Sequence, residues 1–257
     1  MKANTNQVPV ALITGSSRGI GRSMALHLAD RGMDVVVTYH SREKEALEVV
    51  DAIIAKGRKA VALRLDVSDS SSFGPFAEAL RKELGRVWGR DCLDILVNNA
   101  GTGVHASLAE TTEEQFDALV NVHLKAPIFL TQKLLPLVAD GGRILNVSSG
   151  LARFTLPGYG AYAAMKGAVE VLTRYMAKEL GPRKITVNVV APGAVETDFG
   201  GGVVRDNEHV NQLIASQTAL GRVGVPDDIA GAVAMLLAPE SAWITGQRIE
   251  VSGGQSL

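Results

Sequence analysis

The chain has 257 residues, 46% of them hydrophobic, which excludes a disordered protein and leaves material for one large or two small domains. Its 26 basic and 27 acidic residues nearly cancel, so no global basic field is available to hold nucleic acid or an anionic membrane. A lone cysteine (Cys92), no Cys/His cluster with metal-ligand spacing, a polar start MKANTNQVP and no apolar run near the ~20 residues of a membrane span point to a cytoplasmic, metal-free protein with a small-molecule partner.

In chain order, the first strand is predicted at VPVALIT and ends in TGSSRGIG, Thr14 to Gly21, directly before an amphipathic helix. Glycines 15, 19 and 21 let the backbone turn tightly and approach a pyrophosphate, whose charge meets amide groups at the helix N-terminus. The second strand, DVVVTY, leads into a helix over SREKEALEVVDAIIAKG, and the third is KAVALRL. The fourth, LDILVNN, precedes the helical segment FDALVNVHLKAP. The fifth, GRILNVSS, precedes YAAMKGAVEVLTRYMAKEL; the sixth is KITVNVVAP; PDDIAGAVAMLLA is a helix and QRIEVSGG the seventh strand. These strands are nearly continuous apolar runs, as parallel strands covered on both faces require. Strand and helix in alternation predict one α/β domain over residues 1–257, with a doubly wound sheet of seven parallel strands and helices on both faces. Residues 8–140 would form mainly the cofactor half and 141–257 mainly the catalytic and substrate half. The longest stretch without a pattern runs from Pro192 to Val210, and Gly200, Gly201 and Gly202 mark it as either a flexible substrate lid, over 194–218, or a loose surface loop.

Tyr162 and Lys166 in YAAMK stand four residues apart, one helical turn, so phenol and ammonium can share a cleft. By itself the pair is either a solvated edge or a working acid and its neighbour.

Four motifs in order, TGSSRGIG, NNAG (Asn98 to Gly101), YAAMK and PGAVET (Pro192 to Thr197), resemble the short-chain dehydrogenase/reductase family over nearly the whole chain. The segments WITGQRIEVSGG and ALGRVGVPDDIA look most like 3-oxoacyl-(acyl-carrier-protein) reductases and related ketone reductases. The resemblance implies a Rossmann-type fold that moves a hydride from a nicotinamide cofactor to a ketone or aldehyde. Tyr162 would give the proton. Its free pKa of about 10 would be lowered by Lys166 and the oxidised nicotinamide, while the lysine also holds the nicotinamide ribose. Ser149, thirteen residues before Tyr162, would orient the substrate oxygen, with Ser148 adjacent in case the register slips. Asn121 would be the fourth member, bending its helix around a water that links the lysine to solvent; His123 is expected to be structural, and Tyr159 a decoy without a lysine partner.

The resemblance also assigns the cofactor groove. Gly15, Ser17, Arg18, Gly19, Ile20 and Gly21 would hold the pyrophosphate, Asp66 and Val67 the adenine unless Asp66 merely starts a turn, and Asn99, Ala100 and Gly101 the channel, with Asn98 tying strands together. Pro192, Gly193, Val195 and Thr197 would close the nicotinamide end, beside Tyr162 and Lys166. An NAD site places an acid about 20 residues past the glycine turn. Here Tyr39 takes that position, and Arg18 and Arg42 offer positive charge to a 2'-phosphate unless they are solvated surface charges. NADP(H) is therefore expected over NAD(H). Relatives dock an acidic carrier with basic residues; Arg183 matches one such place, but Asp140 inverts another, which favours free ketones. Phe154, Leu156 and Phe199 suggest an apolar pocket, a core contact or a subunit contact. Relatives imply a homotetramer built through the helices beginning near Thr111 and Tyr159 and the last strand. The other readings are an NAD-dependent alcohol or sugar dehydrogenase and a non-catalytic nucleotide-binding regulatory protein.

Overall fold

Val10, Ala11, Leu12 and Ile13, which make up β1 (Val10–Ile13), are fully buried on both sides of the sheet. This strand is the centre of a computed structural model that describes residues 8–257; the polar start of the chain lies outside the described residues. In chain order there follow α1 (Gly19–Asp30), β2 (Asp34–Tyr39), α2 (Glu43–Ala55), β3 (Ala60–Arg64), α3 (Phe73–Glu83) and β4 (Leu93–Asn98). Next come α4 (Glu113–Val120), α5 (Ala126–Leu134), β5 (Val138–Val147), α6 (Gly160–Leu180) and β6 (Thr186–Pro192). The chain closes with α7 (Val203–Asp206), α8 (Glu208–Ser216), α9 (Pro226–Leu236) and β7 (Arg248–Val251).

All seven strands pair in parallel in the order β3-β2-β1-β4-β5-β6-β7. Successive side chains of β1 sort to opposite faces. Ala11 and Ile13 pack with Met24, Leu28, Ile229 and Val233 from α1 and α9, whereas Val10 and Leu12 pack with Phe73, Leu80, Leu130 and Leu134 from α3 and α5. From β1 the order runs outward to β3 on one side and from β4 to β7 on the other. The carboxyl ends of β1 and β4 therefore open a crevice where a ligand binds in such sheets.

Buried polar side chains bolt this centre. Asn98 donates to Thr131 (3.1 Å) and to Asn146 (2.9 Å), and Asn146 donates to Thr173 (2.9 Å), so β4, α5, β5 and α6 are cross-linked in sequence. At the far edge, Arg153 makes two 2.7 Å contacts to Glu250 and donates to the carbonyls of Gln255 (2.8 Å) and Ser256 (3.0 Å). The C-terminal tail is thereby fixed to the loop that follows β5.

Two stretches differ from the sequence expectation. The Pro192–Val210 segment is not without structure: a short 3-10 turn (Phe199–Gly202), α7 and the start of α8 occupy it. Gly200, Gly201 and Gly202 have φ of 61°, 77° and 80°, three left-handed residues in a row that only glycine takes without strain, and the helical pattern on either side is short. The second is a π turn, Asn121–Lys125, between α4 and α5, where the Ala126 amide bonds back to the Asn121 carbonyl. Among the described residues no helix is long and apolar enough to cross a membrane, and no group of three or more His, Cys, Asp or Glu could hold a metal.

Candidate active site

α1 opens at Gly19 with no acidic residue in its first turn and no side-chain cap, so its amides face the crevice unopposed. Gly21 is fixed by close approach: a Cβ there would strike the Gly15 carbonyl oxygen and lie 2.6 Å from Asn99 Nδ2. That asparagine holds the turn by donating to the carbonyls of Thr14 (2.8 Å) and Gly15 (3.3 Å). The Thr14 hydroxyl in turn accepts from the amides of Asn99 and Ala100, both at 2.9 Å. Thr197 reaches the other side of the turn, 3.7 Å from where a Gly19 Cβ would stand. Gly193 is tied to β7 through the Val251 carbonyl (3.1 Å), and Val195 pairs with Gly224. The turn, Asn99–Gly101 and the Pro192–Thr197 segment thus line one groove, a backbone cradle that suits a dinucleotide pyrophosphate.

At the inner end of the groove, Tyr162 and Lys166 share the buried face of α6 with Met165, Val169 and Thr173. The Lys166 ammonium donates to the Val147 carbonyl (2.7 Å) and lies 5.5 Å from the centre of the Tyr162 ring. Burial is the main influence on both groups. It raises the phenol of Tyr162, which the Ser149 hydroxyl beside it partly offsets and Tyr159 reinforces, and it pushes Lys166 down to about 7. In the cofactor-free chain burial is thus the dominant influence on the phenol. A protonated phenol is the form a proton donor needs. The two adjacent serines differ in their contacts. Ser148 is committed to the Lys166 carbonyl (3.2 Å) and to Glu170 (2.7 Å), whereas Ser149 faces the phenol and takes the Leu151 amide (3.2 Å).

Three more rings surround Tyr162: His123 at 5.2 Å and 90°, Phe199 at 5.6 Å, and Tyr159 at 6.4 Å, which itself meets His105 at 5.0 Å. Tyr159 is therefore a wall of the site, not a bystander. His123, not Asn121, shares with Lys166 a small cavity under the active helix; Asn121 is half-buried at the start of the π turn, and its side chain is not among the residues lining that space. The sequence carried a signal for this. Leu119, His123, Ala126, Leu130 and Leu134 recur at helical spacing and all are buried, which places residue 123 on the inner stripe.

A short-chain dehydrogenase family model described as Enoyl-(Acyl carrier protein) reductase matches residues 15–256. The hydroxynaphthalene reductase-like protein Arp2 of Metarhizium brunneum is 42% identical over 256 residues, 95% of this chain and 94% of that protein. The chain belongs to the short-chain dehydrogenase/reductase family. Among solved structures, the promiscuous reductase LugOII, which catalyses keto-reduction at C1 in lugdunomycin biosynthesis, superposes with a TM-score of 0.92 at 43% identity, covering 97% of this chain and 98% of that one. The angucycline C-6 ketoreductase LanV with bound NADP also gives 0.92, at 38% identity over 96% and 95% of the chains, and LanV has a structure with NADP and rabelomycin.

In this member of the family the surface around Tyr39, Arg42 and Arg18 is crowded with ion pairs. Tyr39 donates to Glu43 (2.9 Å), Arg42 pairs with Glu45 (3.1 Å), and Arg18 pairs with Asp198 (2.8 Å). Asp66 accepts from the Ser68 amide (2.9 Å) and hydroxyl (2.6 Å) and lies 3.3 Å from His40, so it does start a turn at the end of β3. Arg64, which the sequence motifs do not single out, donates to the His40 carbonyl (3.2 Å) beside Tyr39. The glycine-rich segment after β6 joins this network: Asp198 also binds Arg205 (2.6 Å), which binds Asp206 (2.7 Å). Far from the groove, Arg183 is spent on structure, pairing with Asp140 (2.7 Å) and donating to the carbonyls of Leu135 and Val138. The residue that matched a carrier-docking arginine is thus tied up by the acid that replaces a second one. Leu156 is exposed on the loop after β5, and Phe154 packs over Gly150 and under the Arg153 guanidinium (5.5 Å); only Phe199 of the three suggested apolar residues meets the Tyr162 ring.

Proposed function

We propose that this chain is an NADPH-dependent ketoreductase acting on flat aryl or polycyclic ketones of the polyketide type. The observation that carries the reading is one buried phenol flanked by Ser149 and Lys166 and bounded by the rings of His123, Tyr159 and Phe199. A flat aromatic ketone finds in those rings a complementary surface, with edge and face contacts of about 0.5–1.5 kcal/mol each. A nicotinamide cofactor, when bound along the glycine turn, Asn99–Gly101, Val195 and Thr197, supplies the hydride. Ser149 holds the carbonyl oxygen, Tyr162 passes it the phenolic proton, and Lys166 stabilises the phenolate left behind. Asp66, Val67 and the Tyr39–Arg42 end would hold the adenosine, with Arg18 turned to a 2'-phosphate. The commitment of Arg183 to Asp140 supports a free ketone over a carrier-bound 3-oxoacyl chain.

The test is turnover of NADPH and NADH by purified protein against a polycyclic aromatic ketone, simple aryl ketones and an acetoacetyl thioester. NADPH-linked reduction fastest on the polycyclic ketone, lowered at least ~100-fold in Tyr162→Phe with NADPH binding retained, is the expected result. Equal rates in the variant, or preference for the thioester, would sink the proton-donor or the substrate assignment respectively. A homotetramer belongs to the same reading: Phe116, Phe129, Val171 and Tyr175 are exposed on α4, α5 and α6, and Trp243 and Leu257 near the C-terminus, and light scattering gives the mass.

A further inference from the structure

His123 is 2% exposed, and its Nε2 stands 2.7 Å from the Thr102 carbonyl oxygen. An oxygen that can only accept requires a proton on that nitrogen, so in the neutral ring Nδ1 carries a bare lone pair. Burial and the charge of Lys166 push the histidine down to about 3, so the ring is neutral throughout the working range. Yet Nδ1 is buried with no hydrogen-bond partner among the protein atoms. Such an orphan costs about 1–3 kcal/mol unless something meets it. Beside it lies a cavity of about 10 Å³, measured to the centre of a water-sized sphere and lined by His123, Lys166, Asn98, Thr14 and apolar side chains. That is the room one ordered water takes. The lysine has donors to spare, since one contact, to Val147, is all that its ammonium makes.

We propose that His123 is a positioning residue for Lys166: its Nδ1 accepts from a single buried water, which accepts in turn from the lysine ammonium. The proposal rests on the ketoreductase reading for its catalytic consequence, but not for its structural content. The bridge hydrogen-bonds the charged form of the lysine, so it works against burial and keeps the ammonium available to the phenolate. The histidine gives and takes no proton itself; it fixes which way the water points. The groups facing Lys166 are few. Tyr162 lies on its own helix and His123 on the π turn, β4 and the β1 loop contribute Asn98 and Thr14, and β5 the Val147 carbonyl. No carboxylate lines the cavity; Glu170, one turn along α6, is taken by Ser148 (2.7 Å) and Arg248 (2.8 Å). Of the side chains on that lining, the histidine is the one whose fully buried acceptor has no partner in the protein, and its replacement leaves Lys166 in place.

The experiment compares wild type, His123→Leu and His123→Asn. A crystal structure of the cofactor-free wild type at neutral pH should show a water within hydrogen-bond distance of both Nδ1 and Lys166 Nζ. Titration of Lys166 by 15N-lysine NMR, without cofactor, should fall by about one pH unit in His123→Leu and stay within a few tenths in His123→Asn, which keeps an acceptor. With NADPH saturating, the alkaline limb of kcat/KM should move down by the same amount. A cavity water that ignores Nδ1, a dry cavity, or an unmoved lysine in folded His123→Leu overturns the proposal. Should His123→Leu not fold, the wild-type crystal structure and the His123→Asn titration still decide. Failure to reduce any ketone would refute the functional reading alone, because the crystal and NMR readouts use no turnover.

Discussion

Replacing Asp198 by Asn should tighten NADPH and leave NADH unchanged. In the structure Arg18, the guanidinium nearest the helix amides of the glycine turn, is held by Asp198 of the lid at 2.8 Å, with about half of each side chain exposed. A pair that open to water is worth about 0.2–1 kcal/mol, and the asparagine keeps its shape while removing its charge. Arg18 then no longer has to leave a carboxylate to meet a 2'-phosphate, and NADPH Kd should fall by about 1.4- to 5-fold. NADH shares the pyrophosphate but lacks the 2'-phosphate that the freed arginine would meet, so its Kd should not follow. Quenching or enhancement of cofactor fluorescence on titration gives both constants, and repeating it at higher salt should narrow the NADPH gain, since exposed pairs are screened. A gain shared equally by NADH, or a loss of NADPH affinity in a folded variant, would mean that the Arg18–Asp198 pair does not compete with the cofactor phosphate.

Further outcomes follow from single contacts. Gly21→Ala places a methyl against the Gly15 carbonyl and 2.6 Å from Asn99 Nδ2, so it should cost about 2–3 kcal/mol, lower Tm by about 5 °C or more in a thermal melt, and abolish NADPH binding. Phe199→Ala removes the ring over Tyr162 and should raise KM for an aryl ketone about fivefold with little change in kcat, read from steady-state kinetics. Lys166 is held down to about 7 by burial, below its unfolded value of 10.5, so the unfolded chain binds the proton more tightly. Its destabilising effect is fully present below about pH 7 and fades as pH rises toward 10.5. Lys166→Met should therefore stabilise the cofactor-free protein by about 1–3 kcal/mol at pH 6 in urea melts, with the gain shrinking by pH 10.

The seven strands were legible because each holds a short, largely apolar, β-branched run, and their parallel pairing followed from that continuity. The glycine turn, Tyr162, Lys166 and Ser149 were legible as motifs, and the structure gathers them at the β1–β4 crevice. What the sequence could not show depends on facing. Asn121 and His123 are both polar residues in one apolar helix, about 200° apart around its axis, and a π turn between α4 and α5 shifts the phase further. The buried stripe through Leu119 and Leu130 is what places His123 on the inner face. The burial that dominates the acid strengths of Tyr162 and Lys166 was hidden for a related reason, since spacing says how near two groups are and nothing of how dry they become. The lid helices α7 and α8 escaped notice because three glycines interrupt a pattern too short to show periodicity.

The four contacts from Arg153 to Glu250, Gln255 and Ser256 have a practical reach for anyone handling this protein. The loop they grip begins at Ser149, so a fusion partner or affinity tag joined after Leu257 would pull on the segment that carries that serine. Immobilisation on a surface or assembly into a fused pathway enzyme is better made through the other terminus.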